Sequence, residues 1–327
     1  MNYKPPFTLS EKTLNLLAEI MEKVTRLTMS EVEGINPKLR RNNRIKTIQA
    51  SLAIENNSLS LDQVTAILNG KRILGPGQDI KEVQNAYEAY ELLLDFNPYD
   101  VSSLLEAHKI LMNNLTKEAG TFRSSGVGIF DGENLIHMAP PATLVPEQIS
   151  QLLLWAKNSE IHPLIKSCVF HYEFEFIHPF ADGNGRMGRM WQTLILYKWK
   201  SLFGWLPVES LVKDHQDSYY KVLGECDKAA DSVKFIEFML ESIRDSIVEM
   251  SSTAQVGVQV SEQVEILLNA IGEDTVSGRD LMERVGLKHR PTFRKNYLLP
   301  AIENGYLEMT IPDKPNSSKQ KYRKSKT

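Results

Sequence analysis

The chain's richest chemistry lies between two apolar helical stretches, 169–176 and 190–197, where positions 178–189 read HPFADGNGRMGR. Flanked in this way, the run is a loop that opens a helix. Gly183 and Gly185 let backbone amides come close to a ligand, and the first turn of the following helix has amides without an intrahelical acceptor. Those amides and the helix dipole make an anion site. Arg186 and Arg189 stand three apart on one helix face, where two guanidinium forks suit a polyphosphate. Asp182 offers the hard oxygen ligand that Mg²⁺ on a nucleotide prefers. His178 is the group in the run able to take a proton near neutral pH. A glycine-rich turn with a core histidine and two surface arginines is the plainer alternative, and seven polar or glycine positions in fixed order weigh against it.

The rest of the chain must position this run. Its 327 residues amount to about two folded units at roughly 150 residues each. Hydrophobic residues at 42% and charged residues at 24% are ordinary for a globular protein and exclude wholesale disorder or collagen-like repeats. No apolar run approaches the ~18 residues that cross a bilayer. The opening MNYKPP lacks a secretory apolar core, because Glu11 and Lys12 arrive too soon. Cys168 and Cys226 cannot form a disulfide framework, and neither has a metal-type cysteine neighbour. A cytoplasmic protein with no membrane partner is expected. With 38 Lys+Arg against 41 Asp+Glu, the net charge of −3 excludes a globally basic nucleic-acid binder and leaves room for a local basic patch.

Periodicity predicts a mainly α chain. Leu14, Leu17, Ala18 and Met21 follow a cap at Thr8 or Ser10, and a second helix runs from Ile45 to Ile54 behind the basic cluster Arg40, Arg41, Arg44 and Lys46. Ser60 caps a helix carrying Val64, Ile67 and Leu68, and helical spacing returns over 83–90 and 104–115. Val127, Ile129 and Phe130, a turn at Asp131-Gly132, then Leu135 and Ile136 read as a β-hairpin. Helices follow over about 147–157, 161–176, 184–200 and 218–250, and the small, uncharged stretch 251–260 reads as a linker. Beyond it come a helix from Val264, one capped by Ser277 and ended by Gly286, one opened by Pro291, and strands at 306–311 and 321–323. That is the winged helix-turn-helix order.

The central run resembles the signature of the Fic family (filamentation induced by cAMP), His-x-Phe-x-(Asp/Glu)-Gly-Asn-Gly-Arg-x-x-Arg. His178, Phe180, Asp182, Gly183, Asn184, Gly185, Arg186 and Arg189 fill every fixed position. The resemblance implies a helical Fic core with a hairpin flap, and transfer of AMP from ATP to a Ser, Thr or Tyr hydroxyl of an unidentified target protein. His178 would accept the hydroxyl proton, Asp182 would hold Mg²⁺, and Phe180 would pin the loop. Gly183, Asn184, Gly185, Arg186, Met187, Gly188 and Arg189 would form the phosphate cradle. Gly185 stands where the family's Doc-type kinases carry Lys, which favours nucleotidyl transfer. Ile136, His137, Met138 and Ala139 of the hairpin would lie nearest the target, pairing with its backbone. Tyr219 and Asp227 would lie on the adenine side, although Asp227 departs from the Asn of many members. Ser51, Glu55 and Asn56 match the family's inhibitory helix, (Ser/Thr)-x-x-x-Glu-(Gly/Asn), in which Glu55 would pair with Arg189 at the γ-phosphate's place.

These readings divide the chain into an N-terminal helical region 1–97 with the inhibitory helix near 45–57, a Fic core 98–250, a linker 251–260 and an independently folding winged-helix domain 261–327. Removal of AMP, transfer of another nucleotide, or a DNA-binding regulator with a nucleotide-sensing core are the rival functions. His108, His162, His171, His215 and His289 are scattered, with His171 read as a satisfied core residue. The tail from Asp313, six Lys/Arg against one acid, suits either DNA phosphates or a solvated face. Fic proteins often dimerise, so the resemblance admits a homodimer.

Overall fold

The computed structural model describes residues 3–29, 37–131, 134–256, 262–315 and 317–325. Helices α1 (Glu11–Met29), α2 (Pro37–Ile54), α3 (Leu61–Leu68), α4 (Gly77–Glu91) and α5 (Val101–Leu111) lead to the hairpin β1 (Gly128–Asp131) and β2 (Asn134–Met138). Then come α6 (Val145–Asn158), α7 (Pro163–Ile177), α8 (Asn184–Trp199), α9 (Val208–Asp214), α10 (Gln216–Ala229) and α11 (Val233–Val256). The last part holds α12 (Glu262–Ile271), β3 (Val276–Ser277), α13 (Gly278–Arg284), α14 (Arg290–Phe293), α15 (Leu299–Glu303), β4 (Leu307–Met309) and β5 (Lys321–Lys324). The fold is mainly α, as the periodicity predicts.

Two compact units emerge, one from 1–24 with 44–248, the other from 25–43 with 249–327. In the first, α7 is the central helix. Pro163 sits in its first turn, and His162 Nδ1 accepts the Leu164 N–H at 3.2 Å. Leu164 through Glu175 are all buried, the mark of a helix surrounded by protein. Gly188 lets α8 lie against it: a Cβ there would stand 2.7 Å from Glu175 Oε1. Ile48 and Leu52 of α2, Val64 of α3 and Val83 of α4 share one core with Phe170, Phe174 and Trp191. Helices on both sides of residue 97 thus share one core.

The helix expected over 218–250 is broken. Ala230 is left-handed (φ 50°) and ends α10, and Asp231 Oδ1 accepts the Val233 N–H at 2.8 Å to start α11. That helix runs through the first six positions of the expected linker. Positions 257–260 and Ser261 lie outside the described residues.

In the second unit, Ser277 Oγ accepts the Asp280 N–H at 3.2 Å, capping α13, and Gly286 (φ 73°) follows its end. Between α14 and α15 the helix widens into a π turn, Arg294–Leu298, closed by the Leu299 N–H on Arg294 O. Pro300 has no N–H to give, and its ring needs space at the carbonyl four residues back, which a widened turn supplies. The sheet order is β3-β5-β4, antiparallel throughout; β3 is a third strand absent from the sequence reading. Val264, Leu267, Leu281, Phe293 and Tyr322 form the core. The unit also takes in 25–43: the Lys38 N–H donates to Asn304 O at 3.3 Å. The unit defined by contacts is thus wider than the expected 261–327.

Candidate active site

His178 ends α7. Its N–H donates to Phe174 O at 2.9 Å, its backbone is left-handed (φ 50°, ψ 61°), and its Nδ1 lies 3.3 Å from Glu175 O. The His178 carbonyl accepts from Arg123 Nε at 2.7 Å. Arg123 is buried and also donates to Ser125 O at 2.8 Å, Pro140 O at 2.6 Å and Ile177 O at 3.3 Å. Ser125 precedes the hairpin and Pro140 follows it, so one guanidinium ties the base of the hairpin to the backbone of His178. The sequence reading passed over Arg123. An isolated arginine whose partners are all main-chain carbonyls leaves no spacing pattern to find.

The loop after His178 is clasped from within. Phe180 is buried, as expected, and stacks on His108 with ring centroids 3.6 Å apart. His108 Nδ1 accepts the Gly120 N–H at 2.9 Å, which leaves the ring proton on Nε2, 3.0 Å from Asp182 O. Burial lowers the His108 pKa to about 4, so the ring is neutral near pH 7. His108 thus belongs to the site's framework, although its position in the sequence is uninformative. Asn184 was assigned to the phosphates; its side chain closes the loop, with Oδ1 accepting the Phe180 N–H at 2.8 Å and Nδ2 donating to Phe180 O at 2.9 Å.

Gly183, left-handed at φ 85°, precedes α8 without a side-chain cap. The amides of Asn184, Gly185 and Arg186 therefore lack intrahelical acceptors. Arg186 Nη2 donates to Asp182 Oδ1 at 3.0 Å, and its Nη1 lies 3.6 Å from Glu82 Oε1. Glu82 in turn accepts from Asn57 Nδ2 at 2.8 Å; its approach to Arg186 was not foreseen. Arg189 Nε donates to Ser51 Oγ at 3.1 Å, and Nη2 to Ser51 O at 2.9 Å and Glu55 Oε1 at 2.8 Å. Burial alone would lower the Arg189 pKa, but the adjacent Glu55 carboxylate holds it above its ordinary value. Buried N–H groups remain unpaired on both residues: Nε and Nη1 of Arg186, and Nη1 of Arg189. Unpaired buried donors of this kind call for an explanation. Asn56 is left-handed (φ 67°) with its N–H on Ala53 O at 3.1 Å, a conformation that Asn and Gly accept most readily. Met187 is buried in the core, and Gly188 serves the α7–α8 contact.

The residues assigned to the adenine side stand differently. Tyr219 is buried in the core, with its hydroxyl 3.2 Å from His171 Nε2, and Tyr172 OH donates to Asp227 Oδ1 at 2.9 Å. Bulk and aromaticity suit a core position as well as a base-stacking one, and here the core takes Tyr219. Its neighbour Tyr220 donates to Ile54 O at 3.4 Å, as does Gln216 Nε2 at 3.0 Å, so α10 grips the end of the helix that carries Glu55. His171 is a satisfied core residue, bonded to Gln192 Oε1 at 2.6 Å. In the hairpin, Asp131 pairs with Asn134, and Gly132 of the expected turn lies outside the described residues. The side chains of Ile136, His137 and Met138 are also outside them, while Ala139 is buried with its N–H on Val127 O at 3.2 Å.

Among the described residues, no group of three or more His, Cys, Asp or Glu side chains could hold a metal ion. Asp182, with an exposed carboxylate, fits an ion that arrives on phosphates and keeps its waters. Both cysteines are free and buried, and burial pushes the Cys168 thiol up to about 12. No described helix is long and apolar enough to cross a membrane.

A family model for the Fic/DOC family matches residues 98–196, and one for the C-terminal domain of Fic-like proteins matches 262–325. The protein adenylyltransferase Fic of Nematostella vectensis is 30% identical over 204 residues, covering 59% of this chain and 45% of that protein. A probable protein adenylyltransferase of Aquifex aeolicus is 31% identical over 153 residues, 45% of each. The chain spans less than half the length of these relatives. Fic-1 of Caenorhabditis elegans (residues 134–508) shares the fold at 22% identity and a TM-score of 0.60, over 76% of this chain and 73% of that one. The crystal structure of a Fic family protein from Desulfovibrio desulfuricans is similar at 53% identity and a TM-score of 0.76 across 99% of both chains. With the filled motif, the clasped loop and this end-to-end likeness, the chain belongs to the Fic family.

Proposed function

We propose that the protein transfers AMP from ATP to a hydroxyl of another protein, with Glu55 restraining the reaction. The observation that carries this reading is the juxtaposition of His178 with the uncapped start of α8 and the unpaired donors of Arg186 and Arg189. An Nδ1–H directed to Glu175 O puts the basic lone pair of His178 on Nε2. The target hydroxyl gives its proton to His178 as its oxygen bonds to the α-phosphorus, and the bond to the departing pyrophosphate breaks. The first-turn amides of α8 and the two arginines hold the phosphate oxygens. Asp182 would hold Mg²⁺, which neutralises phosphate charge when bound. The names of the curated relatives support the same reaction.

Incubating the protein with labelled ATP, CTP, GTP and UTP, each with Mg²⁺, and searching its own tryptic peptides for the nucleotide adduct tests the reading. AMP on a Ser, Thr or Tyr is the expected result. No adduct from any nucleotide, on the protein or on lysate proteins, in wild type and in Glu55→Gly overturns it.

A further inference from the structure

We infer that the second compact unit binds duplex DNA through the helix running from Arg290 to Glu303 and the loop between β4 and β5. From Gly286 to Ile302 the sequence carries Lys288, Arg290, Arg294 and Lys295 and no Asp or Glu. All four are exposed, and so are His289 and Asn296 among them. The β4–β5 loop adds exposed Lys314 and Lys319, and the first residue of β5 adds Lys321, with Asp313 the one acid beside them. None of these seven cations joins an ion pair among the described residues. Arg284, Arg323 and Lys324 do, with Asp274, Glu308 and Glu273. Basic charge has been left unneutralised on two adjoining protrusions, in a chain whose net charge is −3.

The two protrusions spring from one core: Phe293 of the helix and Tyr322 of β5 both pack in it. The loop is shaped by its own bonds: Thr310 N–H to Lys321 O at 3.0 Å, Lys314 N–H to Ile311 O at 3.1 Å and Gln320 N–H to Ser317 O at 3.0 Å. The helix is capped by His289 and opened by Pro291. A helix of about 10–12 Å diameter fits the ~12 Å major groove, N-terminal residues first. Arginine can read guanine there and Asn296 adenine, while the loop lysines meet phosphates. Pro291 apart, the exposed residues from Arg290 to Asn296 are polar, so the face offers no large apolar side chain as a wedge for lipid or an anchor for a protein partner. A predominantly cationic surface on a helix and a loop matches a polyanion of regular groove width. This inference does not rest on the proposed AMP transfer.

Fluorescence anisotropy of the full chain on a labelled 30-base-pair duplex tests it, with the His178→Ala variant run alongside. Both proteins should bind alike at 50 mM salt. With four to six phosphate contacts, affinity should fall roughly 10²–10³-fold by 200 mM. R290A/R294A/K295A should weaken binding at least tenfold and flatten the salt slope, and K319A/K321A should do so less. Arg279→Ala, in the same unit, should match wild type, and circular dichroism melts should show each variant folded. Absence of binding at 50 mM, binding insensitive to salt, equal binding by folded R290A/R294A/K295A, or competition by an acidic polypeptide as strong as by the duplex would each overturn the inference. Loss of AMP transfer in His178→Ala without loss of DNA binding keeps the two readings separable.

Discussion

Glu55 fills the space in which a β-carbon on Gly185 would stand. A Cβ there would overlap Glu55 Oε1 and come within 3.0 Å of Arg189 Nη1. The carboxylate thus rests on the first turn of α8, where the uncapped amides are. Two negative groups cannot share that place. Glu55→Gly is expected to raise AMP transfer by about 10²-fold, the scale on which ~1 Å misplacement of a reacting group acts, with ATP affinity changing less. Glu55→Gln is the charge control. Unchanged rates in both variants, on the protein itself and on lysate proteins, would exclude the restraint.

The same overlap makes positions 55 and 185 non-additive. Gly185→Ala alone should lower the melting temperature, because the new methyl collides with the Glu55 carboxylate. In the Glu55→Gly background the same methyl should cost markedly less. A double-mutant cycle on melting reads this directly, with a coupling of about 1 kcal/mol or more expected for groups in contact. Additive shifts would mean that Glu55 does not lie on Gly185 in solution.

His178→Ala should reduce AMP transfer by about 10²–10⁴-fold, the usual contribution of a general base, while ATP affinity stays near wild type. Arg186→Ala should do the reverse, weakening ATP binding. Equal transfer by His178→Ala, measured by adduct formation with excess ATP, would remove it from its role.

Arg123 acts on the site only through backbone. His178 is left-handed, a conformation that costs a non-glycine residue roughly 1–2 kcal/mol, and the Arg123–carbonyl bond helps to hold it. Arg123→Lys keeps the charge but cannot serve Ser125, Pro140, Ile177 and His178 together. Transfer should fall about 10–10²-fold in kcat with the KM for ATP nearly unchanged, since the phosphate donors are on α8. A matched rise in KM would show that the loop as a whole had collapsed.

Two buried groups pull the pH profile in opposite directions. Burial lowers His108 from 6.5 to about 4, so between those values the unfolded chain carries the extra proton and stability falls as pH falls. Burial, aided by Asp227 and opposed by the Tyr3 hydrogen bond, raises Glu173 from 4.5 to about 7. There the folded chain carries the extra proton, and stability falls as pH rises. Each slope is about 1.4 kcal/mol per pH unit, so over pH 4.5–6.5 they cancel. Glu173→Gln should remove its half. Relative to wild type it gains stability from pH 4.5 upward and levels off above about 7, measured by urea unfolding at pH 5, 6, 7 and 8. Parallel curves for the two proteins would refute the assignment.

Much of the site was legible because its residues are adjacent in sequence. Asp182, Arg186 and Arg189 sit at helical spacing, and the glycines mark where α8 begins. The Ser51–Glu55 spacing likewise brings a hydroxyl in the last turn of α2 and a carboxylate just past its end to Arg189. What stayed hidden depends on tertiary partners. Arg123 and His108 bind carbonyls brought near by the fold, and no periodicity records a carbonyl. Asn184 and Tyr219 read as ligand residues in the sequence, yet an amide serves a backbone as readily as a phosphate, and a tyrosine suits a core as readily as a base. In the fold, helix positions followed from apolar spacing. The recruitment of 25–43 into the C-terminal unit did not, since a buried stripe does not name the surface that covers it.

Asn57 gives the two arginines a shared thermodynamic fate. It lies two residues beyond Glu55, and its amide holds Glu82, the carboxylate beside Arg186. Glu55 and Glu82 are thereby joined through the end of α2 as well as through any ligand. The expected consequence is reciprocal: an anion at Arg186 and release of Glu55 from Arg189 should favour each other by the same factor. Asn57→Ala should break this reciprocity, so that phosphate occupancy at one guanidinium no longer registers at the other.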